Sequence, residues 1–242
     1  AVDASCWLHR AAIGCCYELV TGRPTDKYVK YCMRFVRLLQ HYSITVIVVF
    51  DGASLPLKKV ENNRRRKIRK EASERALKLL GQGKRREADS WLKRAVHVTS
   101  TMRRRLAAAL KDSDVKTIVA PYEADAQLAY LCHKGDADLC ISEDSDLLAY
   151  NCNTLTKLDV NTGYGIEFNL NKWRKLKEVI RSFSPNQFLE ACILAGCDYV
   201  ESLPGIGIKN ACKLIDQYGS AEKAVEGLRK QKKKGNYDYS YE

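Results

Sequence analysis

Residues 44–52 read ITVIVVFDG. The run 44–50 is short, apolar and rich in β-branched side chains, and Asp51-Gly52 stops it, which predicts a strand buried on both faces of a parallel sheet. An acid at that position lies at the carboxyl edge of the sheet, where open α/β sheets bind their ligands. The same signature recurs along the chain. Ala1-Val2 reads as the tail of a strand that ends at Asp3. VKTIVA (115–120) leads through Pro121-Tyr122 to Glu123 and Asp125, and ADLCIS (137–142) leads to Asp144 and Asp146. Helical patterns over 4–20, 26–42, 122–133 and 144–150 separate these runs. Strands alternating with helices predict an α/β fold with a twisted, mainly parallel sheet flanked by helices. TLTKLD and YGIEF read as a hairpin turning at Asn161-Thr162-Gly163. From about Asn169 the pattern is helical, with a helix-hairpin-helix motif around LPGIGIKNA (203–211).

Between these strands the character changes. From Lys58 to about Asp112 the chain reads as basic helix, broken into two at Gly81-Gln82-Gly83. Three regions follow from this reading: a core over 1–180 carrying a basic helical arch at about 56–112, a helical element over 181–231 with its hairpin at 202–209, and a flexible basic and polar tail over 232–242.

The balance of 41 basic against 29 acidic residues, a net charge of +12, points to a polyanionic partner. A membrane surface is the weaker choice. No stretch approaches the roughly 18 apolar residues of a spanning helix, and no charged-then-apolar leader is seen. The ten cysteines form no CxxC pair and have no zinc-site spacing with the four histidines. They read as reduced core residues of an intracellular protein.

Against this basic background, the acids at the strand ends carry the chemistry. Asp3, Asp51, Glu123, Asp125, Asp144 and Asp146 gather at one edge, and Asp198, ending the helix predicted over 185–196, closes the set from another side. Each alone reads equally well as a helix cap, and Glu143 reads as a solvated neighbour or cap. Jointly, so many carboxylates repel each other and protonate unless cations are present. An all-oxygen set suits Mg²⁺ or Mn²⁺. Two such ions about 4 Å apart serve phosphodiester hydrolysis.

Residues 58–72 hold eight basic and two acidic side chains, too one-signed for an ordinary solvated face, and so predict DNA contact. Lys58 and Arg65, seven apart, share one helical face, and Arg66 and Arg69 read as general phosphate contacts. In the hairpin, Gly205 and Gly207 allow backbone N–H groups to approach a phosphate at a helix N-terminus, with Lys209 adding charge. Trp7 reads as core.

VDASCWLH (2–9), VVFDGASLP (48–56), APYEADAQLAYL (120–131), ISEDSDLLAY (141–150) and GCDYVESLPGIGIKNA (196–211) resemble, in order and over nearly the whole chain, the motifs of the flap-endonuclease (FEN/XPG) family of structure-specific 5′-nucleases. The wording CWLH and EADAQLAYL is nearest its 5′→3′ exonuclease subgroup, associated with mismatch repair and end resection. The resemblance implies a PIN-like 5′-nuclease fold and two Mg²⁺, replaceable by Mn²⁺, on the seven carboxylates. It places Lys58 and Arg65 over the scissile phosphate and His9 against a base at the duplex end. It also implies K⁺ at the hairpin with Ser202 and Ile206 as ligands, although Ala195 replaces a serine there. Implied partners are double-stranded DNA with 5′ ends, nicks or flaps, and repair proteins recruited through a C-terminal tail. A monomer in the nucleus is expected. Two departures stand out: the family's Met-Gly start is not found before Asp3, and Ser5 replaces an aromatic residue. Two rival readings are a non-catalytic DNA-binding fragment and a flap endonuclease.

Overall fold

The computed structural model describes residues 1–169, 172 and 182–233. The chain forms two compact units, Ala1–Leu147 with Asn153–Phe168, and Leu148–Cys152 with Asn169–Glu242. The expected helical stretch over 170–181 (Lys172 apart) and the tail beyond 233 lie outside the described residues.

The first unit is built on a six-stranded sheet. Its strands are β1 (Val2–Asp3), β2 (Ile47–Phe50), β3 (Lys116–Val119), β4 (Cys140–Ile141), β5 (Thr154–Thr156) and β6 (Ile166–Phe168), in spatial order β3-β2-β1-β4-β5-β6. All neighbours pair in parallel except the edge pair β5 and β6, which is antiparallel. The expected mixed but mainly parallel sheet is therefore present. Val48 and Val49 are fully buried, each worth roughly 1.5–3 kcal/mol of apolar burial. The strands are shorter than the apolar runs suggest. Residues 44 and 45 are exposed, and of ADLCIS only Cys140–Ile141 pairs as strand. The hairpin between β5 and β6 turns at 161–163 as expected, with Asp159 N–H donating to Tyr164 O and Gly163 N–H to Asp159 O, both at 2.8 Å, although strand pairing stops at Thr156 and Ile166.

Helices α1 (Ala4–Gly14), α2 (Cys16–Val20) and α3 (Lys27–His41) cover one part of the sheet. The single helix expected over 4–20 breaks at Cys15, whose backbone leaves helical geometry. On α3, Tyr28, Cys32, Phe35, Val36 and Leu39 are buried at helical spacing, while Lys30, Arg34 and Arg37 face solvent. Trp7 is buried as expected and stacks on Phe35 at 5.0 Å. All ten cysteines are free thiols, six of them buried. Among the described residues no helix is long and apolar enough to cross a membrane.

The basic segment contains three helices rather than two: α4 (Lys59–Gly81), α5 (Arg85–Ala95) and α6 (Ser100–Asp112). The first break is the expected Gly-containing turn. The second lies where Val96 turns extended and Thr99 caps α6, its side chain accepting the Met102 N–H at 3.2 Å. On α4 only Ala72, Ala76 and Leu79 are buried, so the basic first half has no core beneath it. That half depends on helix propensity and on local pairs such as Arg64–Glu61 and Arg65–Glu61, both at 2.6 Å. Helix α7 (Ala124–Lys134) ends at Gly135, whose φ of +82° closes it in the left-handed region. Helix α8 is Asp146–Ala149.

The second unit packs α9 (Pro185–Leu194), α10 (Ile208–Tyr218) and α11 (Ala221–Lys233) around Phe183, Ala191, Leu194, Ile206, Ala211, Cys212, Ile215 and Ala224. A capping box between Ser184 and Gln187, with Pro185 in the first turn, starts α9.

Candidate active site

Five carboxylates from four strand ends share one electrostatic environment in the first unit. Asp3 caps α1, accepting the Ser5 N–H at 2.8 Å through Oδ1 and the Ser142 hydroxyl at 3.2 Å through Oδ2. Asp51 ends β2, where Oδ1 accepts the Ala124 N–H at 2.9 Å and Oδ2 accepts the Ser5 hydroxyl. The N–H of Asp144 donates to Ser142 Oγ at 3.1 Å, and Asp144 Oδ1 accepts the Asp146 N–H at 2.9 Å. Burial, then the charge of Asp51, pushes Asp3 up to about 6. Asp125 rises further, to about 8, through burial and then the charges of Asp3, Asp144, Asp51 and Asp146. Its Oδ1 is buried without a hydrogen-bond partner. An orphaned carboxylate oxygen among four other acids has the chemistry that a divalent cation satisfies. The fit is one of charge and donor type. Among the described residues no three His, Cys, Asp or Glu side chains already stand at metal-holding spacing.

Glycine makes this edge possible. A Cβ on Gly52 would lie 1.9 Å from the Ala120 carbonyl oxygen. Without one, Gly52 N–H donates to Tyr122 O at 2.6 Å and Ala53 N–H to Pro121 O at 3.0 Å. The exits of β2 and β3 are thereby clasped side by side, bringing Asp51 next to the start of α7.

Glu123, just ahead of α7, meets the arch instead. Lys58 Nζ lies 2.6 Å from its Oε1, and the side chains are only 13% and 23% exposed. Lys58 ends a short 3₁₀ turn, Pro56–Lys58, that feeds α4. Arg65 lies two turns along α4, held by Glu61, which also grips Arg64 with two hydrogen bonds. These arginines hold the Glu61 carboxyl down at about 2. Arg66 and Arg69 line a cavity of about 660 Å³ between α2, α4 and the α5–α6 connection, together with Lys70, Ser73 and His97. His9 projects from α1, and partial burial, then the Arg69 cation, holds it below its ordinary range.

The sequence matches two family models, the XPG N-terminal domain over residues 1–72 and the XPG I-region over residues 114–198. The chain belongs to the XPG family. Exonuclease 1 of Arabidopsis thaliana is 40% identical over 231 residues, covering 95% of the chain and 31% of the relative. The chain thus spans about a third of the length of that relative. The catalytic core of Rad2 in complex with DNA substrate superposes with a TM-score of 0.66 at 23% identity, covering 98% of this chain and 68% of that one. The Holliday junction-resolving enzyme GEN1, in complex with product DNA and Mg²⁺, gives a TM-score of 0.59 at 18% identity, covering 99% and 51%. The fold is that of these PIN-like nucleases.

The remaining predicted residues of this XPG-family chain lie in the second unit. Asp198 follows α9 in the short bridge between Cys197 and Val200. Gly205 has a φ of +75°, and Gly207 caps α10 with nothing within 4 Å of the position a Cβ would take. The Asn210 side chain donates to the Gly205 carbonyl at 2.9 Å and fixes the loop. Ser202 packs on Gly196, Ile206 is buried, and Lys209 lies in the first turn of α10. Sequence reasoning missed Ser142, which bridges Asp3 and the Asp144 backbone. It also missed the bond from Ser5 to Asp51. The Ser142–Asp3 and Ser5–Asp51 bonds have no signal in spacing, since each joins segments distant in sequence.

Proposed function

We propose that this XPG-family chain is the nuclease part of a 5′→3′ exodeoxyribonuclease that degrades double-stranded DNA from 5′ ends and nicks and also cuts 5′ flaps. The observation that carries this reading is the partnerless buried oxygen of Asp125 within a group of acids, in a chain of net charge +12. Asp3, Asp51, Glu123, Asp125, Asp144, Asp146 and Asp198 would hold two Mg²⁺, with Mn²⁺ able to replace them. When bound, these ions supply the charge that activates water and stabilises the leaving oxygen.

The side chains have separable tasks. Ser142 and Ser5 orient Asp3 and Asp51 through their hydroxyls. Lys58 and Arg65 neutralise charge that develops on the scissile phosphate. For Arg65 this requires exchanging Glu61 for the phosphate. Arg66 and Arg69 hold neighbouring phosphates, and His9 meets the terminal base pair. In the second unit, Gly205, Gly207 and Lys209 bind duplex backbone without reading sequence. Ser202 and Ile206 serve as ligands for K⁺ there. No Ser/His or Cys/His pair is needed, because water is the nucleophile. The cellular setting we infer is the nucleus, in mismatch repair, recombination and end resection alongside other repair proteins.

The test is digestion of a 3′-labelled duplex with a recessed 5′ end, with Mg²⁺, with chelator, and with Asp144→Ala. A Mg²⁺-dependent ladder shortening from the 5′ end, absent in the variant, is expected. Salt-sensitive binding with no cleavage would overturn the enzyme reading in favour of a DNA-binding module. A 5′-flap substrate run in parallel ranks the exonuclease against the flap endonuclease.

A further inference from the structure

Glu143 stands beside Asp144 in sequence, yet its carboxylate is engaged elsewhere. Oε1 accepts from Arg10 Nη1 at 3.0 Å and from the Lys157 N–H at 2.9 Å, and Oε2 accepts from Thr156 Oγ1 at 3.1 Å. One carboxylate therefore joins three segments: α1, which Asp3 caps; the exit of β4, which carries Asp144 and Asp146; and the exit of β5. Lys157 has a φ of +54°, an uncommon conformation for a residue with a side chain. The Glu143 carboxylate receives the N–H of that turn.

The residue before Glu143 is fixed as well, since Ser142 Oγ donates to Asp3 and accepts from the Asp144 N–H. The segment 142–144 is thus anchored on both sides of the backbone. Asp144 is left with its Oδ1 on the Asp146 N–H. The ion pair with Arg10 is more than a third exposed on both sides, so solvent weakens it. The bonds to Thr156 and to the Lys157 backbone hold the loop.

We infer that Glu143 is a positioning residue, which sets Asp144 and Asp146 for divalent cations without touching the ions. This inference rests on the two-metal reading. Outer partners of metal ligands of this kind are worth roughly ten- to a hundredfold in metal affinity or activity.

The experiment measures Mn²⁺ binding by electron paramagnetic resonance, with thermal unfolding in chelator alongside. It compares the wild-type chain with Glu143→Ala, Glu143→Gln, Arg10→Ala and Thr156→Val, with Asp144→Ala as a control. Glu143→Ala is expected to weaken Mn²⁺ binding by roughly tenfold or more while the chelated protein remains folded. Glu143→Gln keeps an acceptor for the Lys157 N–H and should recover most of the affinity. Arg10→Ala should lose little. Affinity in Glu143→Ala within about twofold of wild type, or an equal loss in Arg10→Ala, overturns the inference. If Glu143→Ala does not fold, Thr156→Val decides: weaker Mn²⁺ binding supports the inference and unchanged binding overturns it. A wild-type chain that binds no Mn²⁺ removes the two-metal reading itself, an outcome distinct from one in which only the Glu143 variants match wild type.

Discussion

At the scale of single residues, Asp125 sets function against stability. Its carboxyl is raised from the ordinary 3.8 to about 8 in the folded chain without metal. Below 3.8 both folded and unfolded states hold the proton. Between the two values only the folded state does, so stability declines as pH rises and this contribution is gone above about 8. Asp125→Asn keeps the shape and removes the charge. In chelator, its melting temperature is expected to exceed that of wild type by several degrees at pH 9, with the gap closing as pH falls toward 4, while cleavage with Mg²⁺ is lost. Calorimetry across that range, with a cleavage assay, checks both parts. Asp125 was legible as a candidate because it follows an apolar strand by a short turn. Its missing partner was not, since it depends on Asp3, Asp51 and Asp144 arriving from other strands. Glu143 reads in the sequence as a solvated neighbour because Arg10 and Lys157 are 133 and 14 residues away.

At the scale of elements, the arch carries its own competitor for DNA. Glu61 occupies Arg64 and Arg65, so phosphate must displace it. Glu61→Gln is expected to tighten duplex binding and to steepen the dependence of log K on log salt by about 0.9 for each additional phosphate neutralised. Fluorescence anisotropy over a KCl series measures this, and an unchanged slope would count against the competition. The clasp between β2 and β3 gives a second prediction. Gly52→Ala forces a methyl group into the Ala120 carbonyl and should destabilise the chain by roughly 1–3 kcal/mol or more, with weakened cleavage, as read by urea unfolding and nuclease assay. Element type was largely legible here, because apolar runs ending in acids and one-signed basic helix are strong patterns. The break between α5 and α6 was missed. Ala95, Val96 and Val98 continue an apolar pattern through it, and the Thr99 cap was the available signal. The strands were overestimated because apolarity extends beyond the residues that pair.

At the scale of the whole molecule, charge and chemistry are expected to separate. Binding should persist in chelator and fall about a thousandfold or more between 50 and 200 mM salt if six or more phosphates are contacted, whereas cleavage should require the divalent ion at every salt concentration. Parallel binding and cleavage titrations test this. The order of strand-end acids along the chain was enough to read the α/β core. The relation of Asp198 to the other acids was not contained in that pattern, since Asp198 belongs to the helical unit. The clasp of Gly52 and Ala53 onto Tyr122 and Pro121 has a last consequence, for how such a chain diversifies. It fixes the exits of β2 and β3 to each other, Asp51 beside Glu123, while the helical excursion between them leaves at this edge and re-enters the sheet at the amino end of β3, where Lys116 pairs with Ile47. Lengthening a loop between fixed ends is inexpensive, about 0.6 kcal/mol for each doubling of length. The basic first half of α4, with no core beneath it, can therefore vary in length and change which DNA ends are admitted, while α6, anchored in the core by Met102, Leu106 and Leu110, and the acids at the sheet edge keep their places.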